Sequence, residues 1–108
     1  MEIFIDTAGI HEKMLQPGIF AKLVHTDTMS IAHVRLEKDA ILPVHHHPHE
    51  QVTNVLSGEL EMTIGNEAPR VFGPGQVAIL RSNVPHGARA LTDCLVIDVF
   101  NPVREDYK

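Results

Sequence analysis

Tryptophan is absent from this 108-residue chain, tyrosine occurs once and phenylalanine four times, so aromatic side chains make up only 5% of it. Any core must therefore be packed mainly from Val, Ile, Leu and Ala. A single cysteine, Cys94, rules out an intrachain disulfide, and with it the small folds framed by such bonds. It sits in the run Cys94-Leu95-Val96-Ile97, where a free thiol acts as a small buried hydrophobe rather than a nucleophile. No apolar run approaches the roughly 20 residues needed to span a bilayer. Met1 to Gly9 lacks the basic-then-apolar order of a signal peptide, so the expected compartment is the cytoplasm. Basic residues are few and scattered, nine against fourteen acidic ones, giving a net charge of −5. That argues against a nucleic-acid partner, which needs a basic stripe, and no basic amphipathic stretch points to a membrane surface.

Hydrophobic residues reach 44%, enough for a packed core and too many for a disordered chain. At this length the expectation is one domain, residues 1–108. Repeats, low-complexity segments and linkers are missing. Turn signals recur at short intervals, among them Gln16-Pro17-Gly18, Lys38-Asp39, Ser57-Gly58, Gly65-Asn66, Gly73-Pro74-Gly75, Ser82-Asn83 and Thr92-Asp93. Between them, Leu60, Met62 and Ile64 alternate with Glu59, Glu61 and Thr63, the pattern of a strand with one buried face. Met29 to Glu37, Val52 to Leu56, Val77 to Leu80 and Cys94 to Phe100 are further strand candidates. Only Ile10 to Gln16 could hold a short helix. Around eight strands at this spacing predict an all-β barrel or sandwich.

The chemistry concentrates in residues 45–51, where His45, His46, His47, His49, Glu50 and Gln51 fall within seven positions. In a strand, successive side chains point to opposite faces. Alternation then puts His45, His47, His49 and Gln51 on one face and His46 and Glu50 on the other, a pattern suited to a metal ion. Pro48 could bend the chain and shift the register by one, which makes Glu50 a rival ligand and leaves His49 as a supporting residue. His11, His25 and His33 are scattered and read as surface or satisfied polar groups. Arg35 and Arg89 are possible anion partners but read better as surface residues.

The wider pattern resembles the cupins, whose two motifs run roughly G-x5-H-x-H-x3,4-E-x6-G and G-x5-P-x-G-x2-H-x3-N. Over residues 39–58 the chain has Asp39, five residues, His45-x-His47, three residues, Gln51, six residues and Gly58. Over residues 75–90 it has Gly75, five residues, Arg81-x-Asn83, two residues, His86, three residues and Ala90. Asp39 and Asn83 stand where the motifs have glycine, and both types tolerate a left-handed backbone. Arg81 replaces a proline, and Gln51 replaces the usual glutamate ligand. The resemblance implies the cupin double-stranded β-helix, a jelly-roll barrel, and one divalent transition metal (Fe, Ni, Mn, Co or Zn) held by His45, His47, Gln51 and His86.

The tail from Asp98 to Tyr107 narrows the resemblance to the pectin-degradation (KdgF-type) cupins. Those short cupins open 4,5-unsaturated monouronates to linear 5-keto-4-deoxyuronates. The likeness implies a small anionic sugar acid as substrate, with Asp98, Phe100 and Arg104 lining the site, and a homodimer. With four neutral ligands the ion would keep its double charge and act as a strong Lewis acid. Asp98, a carboxylate in an apolar strand, would serve as general acid and base. Arg104 would clamp the substrate carboxylate with its planar fork, and Phe100 would either pack on the sugar or fill the core. The competing expectations are an iron-dependent dioxygenase and a non-catalytic metal- or sugar-binding cupin.

Overall fold

A computed structural model describes residues 2–108 as ten strands and two short 3-10 turns, with no α-helix among the described residues. The strands are β1 (Lys13–Gln16), β2 (Ile19–His25), β3 (Ser30–Leu36), β4 (Ile41–His45), β5 (Glu50–Ser57), β6 (Leu60–Ile64), β7 (Arg70–Phe72), β8 (Val77–Leu80), β9 (His86–Ala90) and β10 (Cys94–Asn101). They form one six-stranded sheet in the order β1-β2-β3-β10-β5-β8 and one four-stranded sheet in the order β4-β9-β6-β7. Every pairing is antiparallel. The last strand, β10, lies between β3 and β5, so the chain closes on itself late, as in a jelly-roll barrel. None of its helical turns is long and apolar enough to cross a membrane.

The core follows from period-two patterning. Val34 and Leu36 on β3, Leu60 and Met62 on β6, and Val96 and Phe100 on β10 all point between the sheets and are buried. The sparse aromatics give way to aliphatics there, as the composition requires. Cys94 is 2% exposed and fills space in this core. Its burial pushes the thiol pKa up, which keeps it an inert thiol. The turn chemistry also agrees with the sequence. Asp39 and Asn83, which replace motif glycines, hold φ of 69° and 63°. Gly58 (φ +86°) cannot be replaced cheaply, because an added Cβ would collide with the Asp93 carbonyl.

Two expectations fail. The segment Ile10 to Gln16 is not a helix: its second half is β1, folded onto β2 by the Gln16-Pro17-Gly18 turn, with Met14 opposite Phe20. A lone helical turn has too few hydrogen bonds to offset its nucleation cost, whereas the neighbouring β2 edge offers a ready ladder. Nor do residues 45–51 lie in one strand. β4 ends at His45, residues 46–49 form a bend around Pro48, and β5 begins at Glu50. The two strands belong to different sheets, so alternation along a single strand does not bring these histidines together.

What positions the site is a polarity gradient along the inward faces. On β5 the buried side chains run Val55, Thr53, Gln51. On β10 the inward side chains pass from Val96 to the half-buried Asp98, and on β9 from Ala90 to His86. Register aligns these ends: Gln51 lies opposite Phe100, Thr53 opposite Asp98, and His45 opposite His86. The barrel is apolar through most of its length and polar at one mouth.

Candidate metal centre and its pocket

Three imidazoles meet at that mouth. His45 ends β4, His86 begins β9 beside it, and His47 reaches in from the bend that joins β4 to β5. One ring nitrogen from each lies within 4.8 Å of the others. Each Nδ1 faces a backbone carbonyl: His45 to Pro43 at 2.8 Å, His47 to His49 at 3.0 Å, His86 to Val84 at 2.9 Å. A carbonyl only accepts, so each Nδ1 carries the proton and each Nε2 presents a lone pair. Carbonyl partners of this kind orient metal-binding histidines.

Two observations test whether the residues suit a cation. His86 Nε2 is buried and has no hydrogen-bond partner, a costly state unless something else satisfies it. His47 Nε2 lies 3.0 Å from Gln51 Oε1, although its single proton is already given to the His49 carbonyl. A cation between these lone pairs would satisfy both, and about 3 Å is the edge of an octahedron with bonds of about 2.1 Å. Burial holds His47 and His86 below the usual histidine range, His86 at about 4, with Arg104 and the neighbouring rings adding to the effect. His47 and His86 therefore stay neutral at pH 7, as metal ligands must. The donor set therefore fits a divalent ion.

From Gln51 a hydrogen-bond chain runs away from the cluster. Gln51 Nε2 donates to Thr53 Oγ1 at 3.0 Å, and Thr53 Oγ1 donates to Asp98 Oδ1 at 2.7 Å. Burial pushes Asp98 up to about 6, against the opposing pull of Thr53, Gln51 and Arg104. Arg104 is 7% exposed. Its guanidinium carbon lies 4.8 Å from the Phe100 ring and 4.0 Å from the Tyr107 ring. Its Nε and Nη2 grip both oxygens of Asp106, at 3.0 and 2.8 Å, which holds that carboxyl below its usual range.

His45, Gln51, Thr53, Asp98, Phe100, Arg104 and Tyr107 share the wall of one small cavity of about 50 Å³. The structure thus gathers His45, His47, Gln51, His86, Asp98, Phe100 and Arg104. Glu50 is exposed on the outward side of β5 and His46 is exposed in the bend. His49 turns elsewhere, donating from Nε2 to the Val103 carbonyl at 3.2 Å. His11 is exposed, while His25 is bonded to Ser30 Oγ at 2.7 Å. Arg35 pairs with Glu12 and Arg89 with Glu61 on the surface. Sequence reasoning missed Thr53, Asp106 and Tyr107. Thr53 shares the parity of Gln51 on β5, which was a readable signal; the fold of the tail that brings Asp106 back to Arg104 was not. A larger groove of about 550 Å³, lined by Met62, Phe72, Val77 and Ile79 among others, contains none of these groups.

An antiparallel two-sheet barrel with three convergent imidazoles at its mouth defines a cupin domain with a candidate metal centre. The chain belongs to the Cupin domain family, whose model matches residues 32–100. It is a homologue of the pectin degradation protein KdgF of Dickeya dadantii, 32% identical over 107 residues covering 96% of each chain. The structure of KdgF from Halomonas sp. superposes with a TM-score of 0.92 at 31% identity over the whole of both chains. A shorter similarity, 42% over 55 residues, joins it to the H2HPP isomerase of Bacillus subtilis; that match takes in 51% of this chain and only 23% of the relative.

Proposed function

We propose that the protein is a metal-dependent isomerase that opens the ring of 4,5-unsaturated monouronates to linear 5-keto-4-deoxyuronates. The observation that carries this reading is the placement of a buried carboxylate, Asp98, beside an uncharged His45, His47, Gln51 and His86 ligand set, with Arg104 across the same cavity. The likeness to KdgF along the full chain supports it.

A divalent ion held by those four groups would supply Lewis-acid charge to substrate oxygens. The protein's own groups handle the proton. The hemiacetal hydroxyl at C1 gives its proton to Asp98, the bond from C1 to the ring oxygen breaks, and an aldehyde forms at C1. Asp98 returns the proton to C4, and C5 becomes a ketone. No atom is gained or lost and no oxidant enters. Burial raises Asp98 above the usual carboxylate range, toward neutral pH, which suits both halves of this transfer. Arg104 orients the substrate carboxylate.

The assay is loss of the conjugated double-bond absorbance when purified protein meets lyase-generated unsaturated monouronate. Acceleration without oxygen uptake is expected. Stoichiometric oxygen consumption, or no acceleration by metal-loaded protein, would overturn the reading. Arg104→Ala should raise KM about 10- to 100-fold, the loss of a charged hydrogen bond.

The homodimer has its own support. On the outer face of the larger sheet, register aligns Ile79, Val52, Val99, Ile31 and Val24 in one row across five strands. A solvated sheet face would alternate to polar residues there, and Ile79 is 65% exposed. A second copy packed on this row would bury it. Light scattering should give twice the 12.0 kDa chain mass, and Ile79→Lys should halve it; a wild-type monomer refutes the pairing.

A further inference from the structure

The cavity beside the histidines, about 50 Å³, has room for only a few waters, whereas pockets that enclose ligands start near 300 Å³. A sugar acid therefore needs something at the mouth to leave. The chain up to Arg104 is pinned: Arg104 N–H donates to buried Ser30 Oγ at 2.8 Å, and His49 donates to the Val103 carbonyl. Beyond Arg104 the hydrogen bonds stay local. Tyr107 N–H donates to the Arg104 carbonyl, Lys108 N–H and Nζ both reach Glu105, and Asp106 takes the Arg104 fork. Residues 105–108 are thus fastened by one ion pair and by the Tyr107 ring, which lies 5.8 Å from the Phe100 ring.

Asp106 occupies the bidentate edge of Arg104, formed by Nε and Nη2. The Phe100 and Tyr107 rings pack against the guanidinium, and the edge that Asp106 takes is a two-donor geometry that suits a carboxylate. The Asp106 side chain itself is 59% exposed, so releasing it to solvent costs little. We propose that Asp106 is a specificity-determining residue that holds the seat of the ligand's carboxylate, so that residues 105–108 form a plug the ligand must displace. This rests on the reading above, in which Arg104 receives a substrate carboxylate.

The consequence is selectivity. A tethered carboxylate competes at an effective concentration of the order of millimolar. A simple monocarboxylate has one anchor and loses to it. A ligand that also reaches the histidine centre has two and wins.

The chain carries its own probe. Tyr107 is the one tyrosine and tryptophan is absent, so intrinsic fluorescence reports on the plug alone. In wild-type protein, D-glucuronate should raise acrylamide quenching of Tyr107, and millimolar acetate should barely change it. In Asp106→Asn, quenching should be high without any ligand, and acetate, followed by broadening of its methyl NMR signal, should bind about tenfold more tightly. A role confined to holding Arg104 in place predicts the opposite, weaker acetate binding in the variant. The proposal is overturned if Asp106→Asn leaves Tyr107 as shielded as before, or if acetate binds no better. The uronate assay separates the two ideas. Turnover with a shielded Tyr107 in the variant removes the plug and keeps the isomerase. An exposed Tyr107 with tighter acetate, but no turnover in either protein, keeps the plug and removes the isomerase.

Discussion

His86→Ala is expected to drop bound metal from about one ion per chain to less than about a tenth of that, and to lower turnover by about a thousandfold. His86 is 1% exposed, and its Nε2 is the buried nitrogen in the cluster that no protein group satisfies. His45 is half-buried, and His47 and Gln51 at least face each other. Removing His86 takes away the deepest donor and leaves a gap that the short side chains of β9 cannot fill. The variant should still fold, because deleting an unsatisfied buried nitrogen offsets part of the packing lost with the ring. Elemental analysis of untagged protein, beside a thermal melt, checks both statements. Full metal occupancy in folded His86→Ala would place the ion elsewhere and end the case for this donor set.

The spacing of the histidines carried more information than the physical reason first attached to it. Alternation in a single strand predicted that His45, His47, His49 and Gln51 share a face. In the structure His45 and Gln51 come from different sheets, His47 comes from the bend, and His49 is turned toward Val103. The motif spacing survives because it encodes a β4–bend–β5 corner; Pro48 makes that corner, and alternation restarts correctly after it, with Gln51, Thr53 and Val55 inward. β6 was legible outright because Leu60, Met62 and Ile64 alternate against charged and polar partners. β1 was not, since Lys13-Met14-Leu15-Gln16 has no periodicity of its own and becomes a strand through the β2 edge. At the tail, Arg104 stood out as a charge near the site, but its pairing with Asp106 depends on a 3-10 turn over Glu105–Tyr107 that local sequence does not announce. Tertiary placement decides those two cases, and pattern reading has no access to it.

Asp98→Asn should keep the metal and lose turnover, by about a hundredfold to several thousandfold, the usual worth of a positioned proton carrier. The amide can still accept the Thr53 hydrogen bond, so the variant tests proton transfer rather than architecture. In the wild type kcat/KM should fall on the acid side as Asp98, which burial raises above the usual carboxylate range, takes up a proton, because the group that receives the hemiacetal proton is then already occupied. Thr53→Val removes the donor that favours the charged form, so the acid limb should move to higher pH. A limb that stays in place would mean that another group sets it. The same burial has a stability signature in metal-free protein. The folded state keeps the Asp98 proton up to about pH 6, while an unfolded aspartate releases it near 3.8. Stability should therefore decline as pH rises across that window, by about 3 kcal/mol when the change is complete. Asp98→Asn carries no such proton and should lack that slope, giving a melting temperature that overtakes the wild type's near neutral pH. If the variant instead keeps full turnover while losing the slope, Asp98 is a buried acid with a structural cost and no part in the reaction, and the proton must travel by another route.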